Sequence, residues 1–241
     1  MINAIYHLPY WHNQLQVNMG YILHIDTAAA IASVSIGLNG NCIALIENEN
    51  KKDHASFLQP AIKKLLEKAD VHIKQLHAVS VAAGPGSYTG LRVGFAAAKG
   101  LSYTLNIPFI TISSLLLMAK AAVEVSENNF DLLFCPIIDA RRMEVFTAVY
   151  NSTLKEILPA GALIVDSDSF ADILLNNKVL FFGNAVEKFN AVCTHPNALF
   201  SGGYNTNSAM VTMAFAKYQS HLFTNLAYSE PLYGKEFYMG K

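Results

Sequence analysis

Charge is scarce in this chain. Only 15% of its 241 residues are charged against 52% hydrophobic, and the formal net charge is -1 with a pI near 6.7. So neutral a chain lacks the global basic field with which nucleic-acid binders gather phosphate. The lysine pairs Lys51-Lys52 and Lys63-Lys64 read as solvated surface. The cysteines Cys42, Cys135 and Cys193 are far apart and odd in number. They exclude a disulfide framework or zinc knuckle and point to a reducing cytoplasm. No apolar run approaches the roughly 18 residues that span a bilayer, so no membrane role is expected. Histidines at metal-gripping spacing are missing too: His7/His12 and His72/His77 stand five apart, which splays them around a helix. The opening Met1-Ile-Asn-Ala-Ile-Tyr-His-Leu-Pro-Tyr-Trp-His12 has neither a basic n-region nor a cleavage site, so it is no signal peptide. The strand pattern begins after Met19. Residues 1–18 therefore read as an extension, or as lying upstream of the true start.

What the chain does have is Gly84-Pro-Gly-Ser-Tyr-Thr-Gly-Leu-Arg-Val-Gly94, set between an apolar run, 77–83, and a helical stretch to about 103. A strand ending in a glycine turn that opens a helix leaves backbone N–H groups free for an anion. The spacing fits neither standard phosphate loop, because Thr89-Gly90 stands where Gly-Lys is needed and the dinucleotide pattern fails at Thr89. Gly86, Gly90 and Gly94 recur every four residues, and Ala97, Ala98 and Leu101 continue that side. A helical glycine costs roughly 1 kcal/mol relative to alanine, so this face calls for close approach by another backbone. That backbone belongs either to the chain's own core or to a second protein.

Elements alternate along the chain. Tyr21 to Ile25 reads as a strand ending at Asp26-Thr27. Residues 32–38 alternate with period two before the hairpin signal Asn39-Gly40, and 42–46 forms a third strand. Asp53 is placed to cap a helix carrying Phe57, Leu58, Ala61, Ile62, Leu65 and Leu66 on one stripe, with Pro60 expected to kink it. Strands 77–83 and 108–112 and helices 87–103 and 115–125 follow, the last capped by Ser113-Ser114. The opening pattern then returns: Leu132 to Ile138 runs apolar to Asp139, and 144–150 alternates after it. Weaker elements come later: strands 161–165 and 179–182, and helices 168–176, 184–191 and 207–219. Two halves that each open on a hairpin with an aspartate at the first turn predict a duplicated α/β fold. The expected lobes are 19–125 and a smaller 126–241, with a cleft facing both aspartates.

Ile22-Leu-His-Ile-Asp-Thr27, His54-Ala-Ser-Phe-Leu-Gln-Pro60, the Gly84–Gly94 segment, Lys99-Gly-Leu101, Ile112-Ser-Ser-Leu115, Asp139-Ala-Arg-Arg-Met-Glu-Val145 and Glu230-Pro-Leu-Tyr233 together resemble the TsaB (YeaZ) family. The resemblance is close over 21 to about 150 and weak beyond, except at the end. It implies an actin-like, sugar-kinase- and Hsp70-like fold of two halves. It also implies a dimerisation subunit, without catalysis of its own, in the machinery that makes N6-threonylcarbamoyladenosine at position 37 of tRNA. The implied partners are a TsaD-like catalytic paralogue and a TsaE-like ATPase, with tRNA met only through the complex and a homodimer formed when the chain is alone.

The catalytic paralogue carries a His-x-x-x-His metal site after the strand that follows its glycine turn. Here those positions hold Ser114 and Met118, which cannot replace imidazoles, so no catalytic residue and no metal are expected. The resemblance further implies at most a vestigial nucleotide cleft at Asp26, Thr27, Gly84, Gly86 and Asp139, binding ATP or ADP with magnesium weakly or not at all. The plainer alternative is that both aspartates cap their own turns. Arg141 stands where it compensates Asp139 or meets an anion. The implied interface is His54, Phe57, Leu58, Ile62, Leu65, Gly90, Gly94, Ala97, Ala98 and Leu101. The other reading is an ATP-dependent kinase or ATPase of the actin-like superfamily, using the cleft; a metal-dependent peptidase gains no support from the histidines. His24, alone on an apolar strand, reads as a satisfied core residue.

Overall fold

The computed structural model describes residues 20–48, 53–126 and 131–233. The expected extension at 1–18 and the Lys51-Lys52 pair lie outside them.

Five strands build the first lobe: β1 (Tyr21–Asp26), β2 (Ser33–Leu38), β3 (Asn41–Glu47), β4 (Leu76–Ala82) and β5 (Phe109–Ile112). Their order across the sheet is β3-β2-β1-β4-β5, antiparallel on the hairpin side and parallel from β1 onward. The β2–β3 turn is tight because Asn39 (φ 53°) and Gly40 (φ 80°) both take the left-handed conformation that a two-residue hairpin requires. Two helices cover one face: α1 (His54–Ala69), capped by the Asp53 carboxylate on Ser56 N–H, and α2 (Tyr88–Leu105), capped by the Ser87 hydroxyl on Gly90 N–H. Pro60 lies inside α1, which runs on through it as one helix rather than restarting there.

A third helix, α3 (Ser114–Val125), leads to the second lobe. Ser113 is its N-cap but makes no side-chain cap bond, contrary to the expected capping. The second lobe holds β6 (Leu132–Asp139), β7 (Glu144–Tyr150), β8 (Glu156–Ile164), α4 (Ala171–Leu174), β9 (Lys178–Phe182), α5 (Val186–Asn190) and β10 (Ala198–Ser201). Read from β8, its sheet runs β8-β7-β6-β9-β10, the same order and the same parallel–antiparallel pattern as the first. The duplicated α/β, actin-like two-lobe fold expected from the sequence is therefore present. Strand β8 begins five residues before the expected 161, β10 was not foreseen, and α4 and α5 are shorter than expected.

The last helix of the described residues, α6 (Asn207–Gln219), lies in sequence within the expected second lobe, yet it packs on the first sheet, against β1, β2, β3 and β5. In return α3, which ends the first half, packs on β6 and β7 of the second sheet. Each half thus lends its final helix to the other. On β1, Leu23 and Ile25 face α1 and α2, and Ile22 faces the layer made by α3 and α6. This two-sided cover explains why Ser33 to Gly37 of β2 are all buried although their sequence alternates.

Candidate functional site

The first turn of the chain is packed onto α2. Thr27 is buried, and its hydroxyl donates to the Gly90 carbonyl at 2.7 Å. A methyl group at Gly86 would strike the Ala28 carbonyl, one at Gly90 the Thr27 carbonyl and one at Gly94 the Thr27 hydroxyl. The glycine stripe is therefore the seat of the chain's own Asp26–Ala28 turn. Gly90, Gly94 and Ala98 are buried by it and by the sheet, so the docking face expected at these three positions is internal.

Asp26 is buried above this seat. Its Oδ1 accepts from Ala28 N–H at 3.0 Å, and Thr206 Oγ1, just before α6, donates to Oδ2 at 3.4 Å. Burial pushes the Asp26 carboxyl above the usual carboxylate range, against the opposing pull of the Ala28 and Ala29 amides and the Thr206 hydroxyl. Asp139 makes the matching turn in the second lobe: its Oδ1 accepts from Arg141 N–H at 2.6 Å. Its surroundings are the opposite. Half-exposed, it is paired with Lys188 Nζ at 2.7 Å, and that bond, ahead of all else, holds its carboxyl below the ordinary value. The cation that answers Asp139 is therefore Lys188 of α5, whereas Arg141 contributes mainly its backbone. Lys188 could have been suspected only from its place on the helix expected at 184–191; nothing in its spacing pairs it with Asp139.

Between the lobes lies a cavity of about 160 Å³. Asp26, Ala28, Ala29 and Ala30 line it from the first turn, Pro85 from the glycine turn, Ser114, Leu117 and Met118 from α3, and Ile138, Gly183 and Asn184 from the second lobe. Ordinary ligand pockets occupy about 300–1,000 Å³, so this one is small. Asp26 lines it and Asp139 does not, which separates the two aspartates expected to share the cleft. Gly84 (φ 97°) stands behind Pro85 with its open side against the Leu232 carbonyl. Ser114 and Met118, the positions singled out for a metal in the catalytic relative, both face the cavity, and the Ser114 hydroxyl is buried without a hydrogen-bond partner among the described residues. Among the described residues no three His, Cys, Asp or Glu side chains gather.

The remaining interface candidates divide. Leu58, Ile62 and Leu65 of α1 belong to the first lobe's core, so the apolar excess on that helix is spent internally. His54, Phe57, Ala97 and Leu101 are half-buried at the edges of that core. The outer ridge of α2 is instead Thr89, Ala96, Gly100 and Tyr103, with Tyr103 80% exposed and, among the described residues, nothing near Gly100. Helical periodicity foretold a smooth face on α2; it did not tell which side the first turn would occupy. His24 is buried with Nδ1 2.7 Å from Ser80 Oγ and Nε2 unpartnered among the described residues, so it is only half satisfied; burial pushes its imidazole down to about 3.

The sequence profile of the family described as "TsaD: tRNA N6-adenosine threonylcarbamoyltransferase" matches residues 46–233. Proteins named tRNA threonylcarbamoyladenosine biosynthesis protein TsaB align in Bacillus subtilis (37% identity over 57% of this chain and 59% of the relative) and in Buchnera aphidicola (29% over 70% and 76%). The chain belongs to the TsaB (YeaZ) family. The aligned part thus spans under two thirds of the Bacillus subtilis TsaB protein's length. YeaZ from Pseudomonas aeruginosa has the same fold, with a TM-score of 0.71 at 21% identity over 89% of this chain and all of that one. The TsaB family takes its name from the synthesis of threonylcarbamoyladenosine in tRNA. Among the described residues no helix is long and apolar enough to cross a membrane.

Proposed function

We propose that this chain is the dimerisation subunit, without catalysis of its own, of the complex that transfers a threonylcarbamoyl group to N6 of adenosine 37 in tRNA. It supports a TsaD-like catalytic paralogue through the outer faces of α1 and α2, is joined by a TsaE-like ATPase, and meets tRNA through the complex. Alone, it self-associates through the same face. Its place is the cytoplasm. The observation that carries the reading is the state of the first turn. In a phosphate-binding cleft the amides after the strand-end aspartate are free to meet phosphate; here Ala28 N–H is taken by Asp26 itself, beneath a cavity of about 160 Å³. Nucleotide and magnesium binding at Asp26, Thr27, Gly84 and Gly86 is accordingly weak or absent. That argues against the kinase reading, as does Asp139 standing outside the cavity wall.

The test is reconstitution. Modification of tRNA is assayed with the paralogue and the ATPase, with and without this chain, and the chain alone is assayed for ATP turnover. Activity that requires this chain, together with its silence alone, is the expected result. Turnover by the isolated chain, or full modification without it, overturns the proposal.

A further inference from the structure

Two aspartates end equivalent strands, and only one of them has its cation. Asp139 accepts the Lys188 ammonium at 2.7 Å, although it is half-exposed and open to water. Asp26 is only 8% exposed, yet among the described residues no lysine, arginine or histidine pairs with it. Its oxygens have the Ala28 N–H at 3.0 Å and the Thr206 hydroxyl at 3.4 Å, the second a long contact. Burial raises its carboxyl, and His54, acting through space, is the weakest of the pulls against that rise. The first lobe has no side chain to answer Asp26 as the second answers Asp139. Lys188 is the third residue of α5; the third residue of α2 is Gly90, whose open side is shut by the Thr27 carbonyl. What stands beside Asp26 instead is the cavity of about 160 Å³. Buried charges are as a rule paired, because burying one alone is expensive.

We propose that the cavity between the lobes is a site for a small aliphatic primary amine, whose ammonium stands to Asp26 as the Lys188 ammonium stands to Asp139. An ammonium brings three donors. One answers Asp26. The Ser114 hydroxyl, on the α3 side of the cavity, has no hydrogen-bond partner among the described residues, and a change of rotamer makes it a second acceptor. Much of the remaining wall is apolar, with Ala28, Pro85, Leu117, Met118 and Ile138 matching an alkyl body. A hydrocarbon-lined cavity of about 150 Å³ holds benzene, so the ligand has about six to eight non-hydrogen atoms. That size excludes a nucleotide. A carboxylate on the ligand would meet Asp26 as a like charge and weaken binding. The inference goes beyond the proposed role in tRNA modification and does not depend on it.

The probes are isoamylamine, its neutral counterpart isoamyl alcohol, and isovalerate, each titrated into the full chain at constant ionic strength. Binding is read from the amide NMR shifts of Ala28 and Ala29 and the methyl shift of Met118. Isoamylamine should bind with a Kd on the order of 1 mM or tighter, the range open to a ligand of about six non-hydrogen atoms. The alcohol should bind at least about tenfold more weakly, and isovalerate more weakly still. Asp26→Asn keeps an acceptor for the Ala28 N–H but removes the charge, and should bring amine and alcohol within about twofold of each other. Ala30→Leu, at an exposed position on the cavity wall, leaves Asp26 intact and should weaken both probes together, which keeps the test open if Asp26→Asn does not fold. Amine binding no tighter than alcohol binding, amine binding unchanged in either folded variant, or no shift with any probe at about 10 mM overturns the proposal. None of these results bears on the reconstitution assay, so the two readings stand or fall separately.

Discussion

Lobe 1 follows its fourth strand with an 18-residue helix; lobe 2 follows the corresponding strand with a helix of five residues. Around that difference the turn chemistry is shared. Asp26 and Asp139 each end the central strand and each accept the N–H two residues on. Gly84 and Gly183 each take a positive φ after the fourth strand. The duplicated parts are those that backbone geometry dictates. The parts that diverge are set by what lies above them. With α2 beneath its turn and Thr206 against it, Asp26 is buried and its carboxyl is raised; Asp139, over a short helix, is half-exposed, paired with Lys188 and lowered. The position two before the aspartate is His24 in one lobe and Ile137 in the other, both buried.

The largest test of this contrast is Gly94→Leu. The side chain would be driven into the Thr27 hydroxyl, and overpacking of this kind costs about 1–3 kcal/mol or more. A clear fall in melting temperature is expected, whereas Gly100→Leu, facing open space on the same helix, should leave stability within about 0.5 kcal/mol and weaken partner binding instead. Equal melting temperatures for the two would contradict the internal placement of the glycine stripe.

In the second lobe, Gly183→Ala tests whether the matching turn is as tightly held. At φ 124°, with the Ile137 carbonyl in the way, it should cost about 1–3 kcal/mol in urea unfolding at neutral pH. A neutral result would mean that the turn relaxes freely and that the likeness to Gly84 is superficial.

Acid sharpens the contrast at the central strands. His24 is held neutral with its pKa pushed down to about 3, so below pH 6.5 the unfolded chain takes up a proton that the folded chain refuses. Stability is intact above that value and falls, by up to about 1.4 kcal/mol per pH unit, as the pH drops toward 3. Asp26, raised by burial, works the other way: its contribution is full below pH 3.8 and is lost as the pH rises through its folded value. His24→Ile, which copies the second lobe, should flatten the loss between pH 6.5 and 5. Unfolding midpoints that keep the same slope would assign acid sensitivity elsewhere.

The smallest effect is expected at the exposed turn. Lys188→Ala removes the partner of Asp139, and a surface pair is worth about 0–1 kcal/mol. Because the pair lowers the Asp139 carboxyl, its contribution is present at neutral pH and fades as the pH falls below 3.8 through the folded value. Denaturant midpoints at pH 7 and pH 3 should therefore differ less in the variant than in the parent.

Elements bounded by local chemistry were legible in the sequence. Asn39-Gly40 marked a hairpin, Asp53 marked a helix start, and the recurrence of an aspartate after an apolar strand exposed the duplication. What was hidden depends on distant chain. Nothing in residues 33–37 says that a helix from 207 onward will cover their second face. The period of Gly86, Gly90 and Gly94 announced close backbone approach without saying whose, and the answer, the turn at Thr27, lies some sixty residues earlier in the chain. Ser114 and Met118, counted in the sequence from a well-marked strand, lie on the cavity wall, which the sequence did not foretell.

The exchange of α3 and α6 between lobes has a consequence in time. Chain growth delivers the first sheet, complete through Ile112, well before Asn207 opens the helix that covers its inner face. At about 5–20 residues per second, translation leaves Ile22, Ala78 and Ile110 without the α6 part of their cover for roughly 5–20 s. The nascent first half is in that interval a natural client for a chaperone that holds apolar strands, and a ribosome stalled before codon 207 should release a fragment that aggregates.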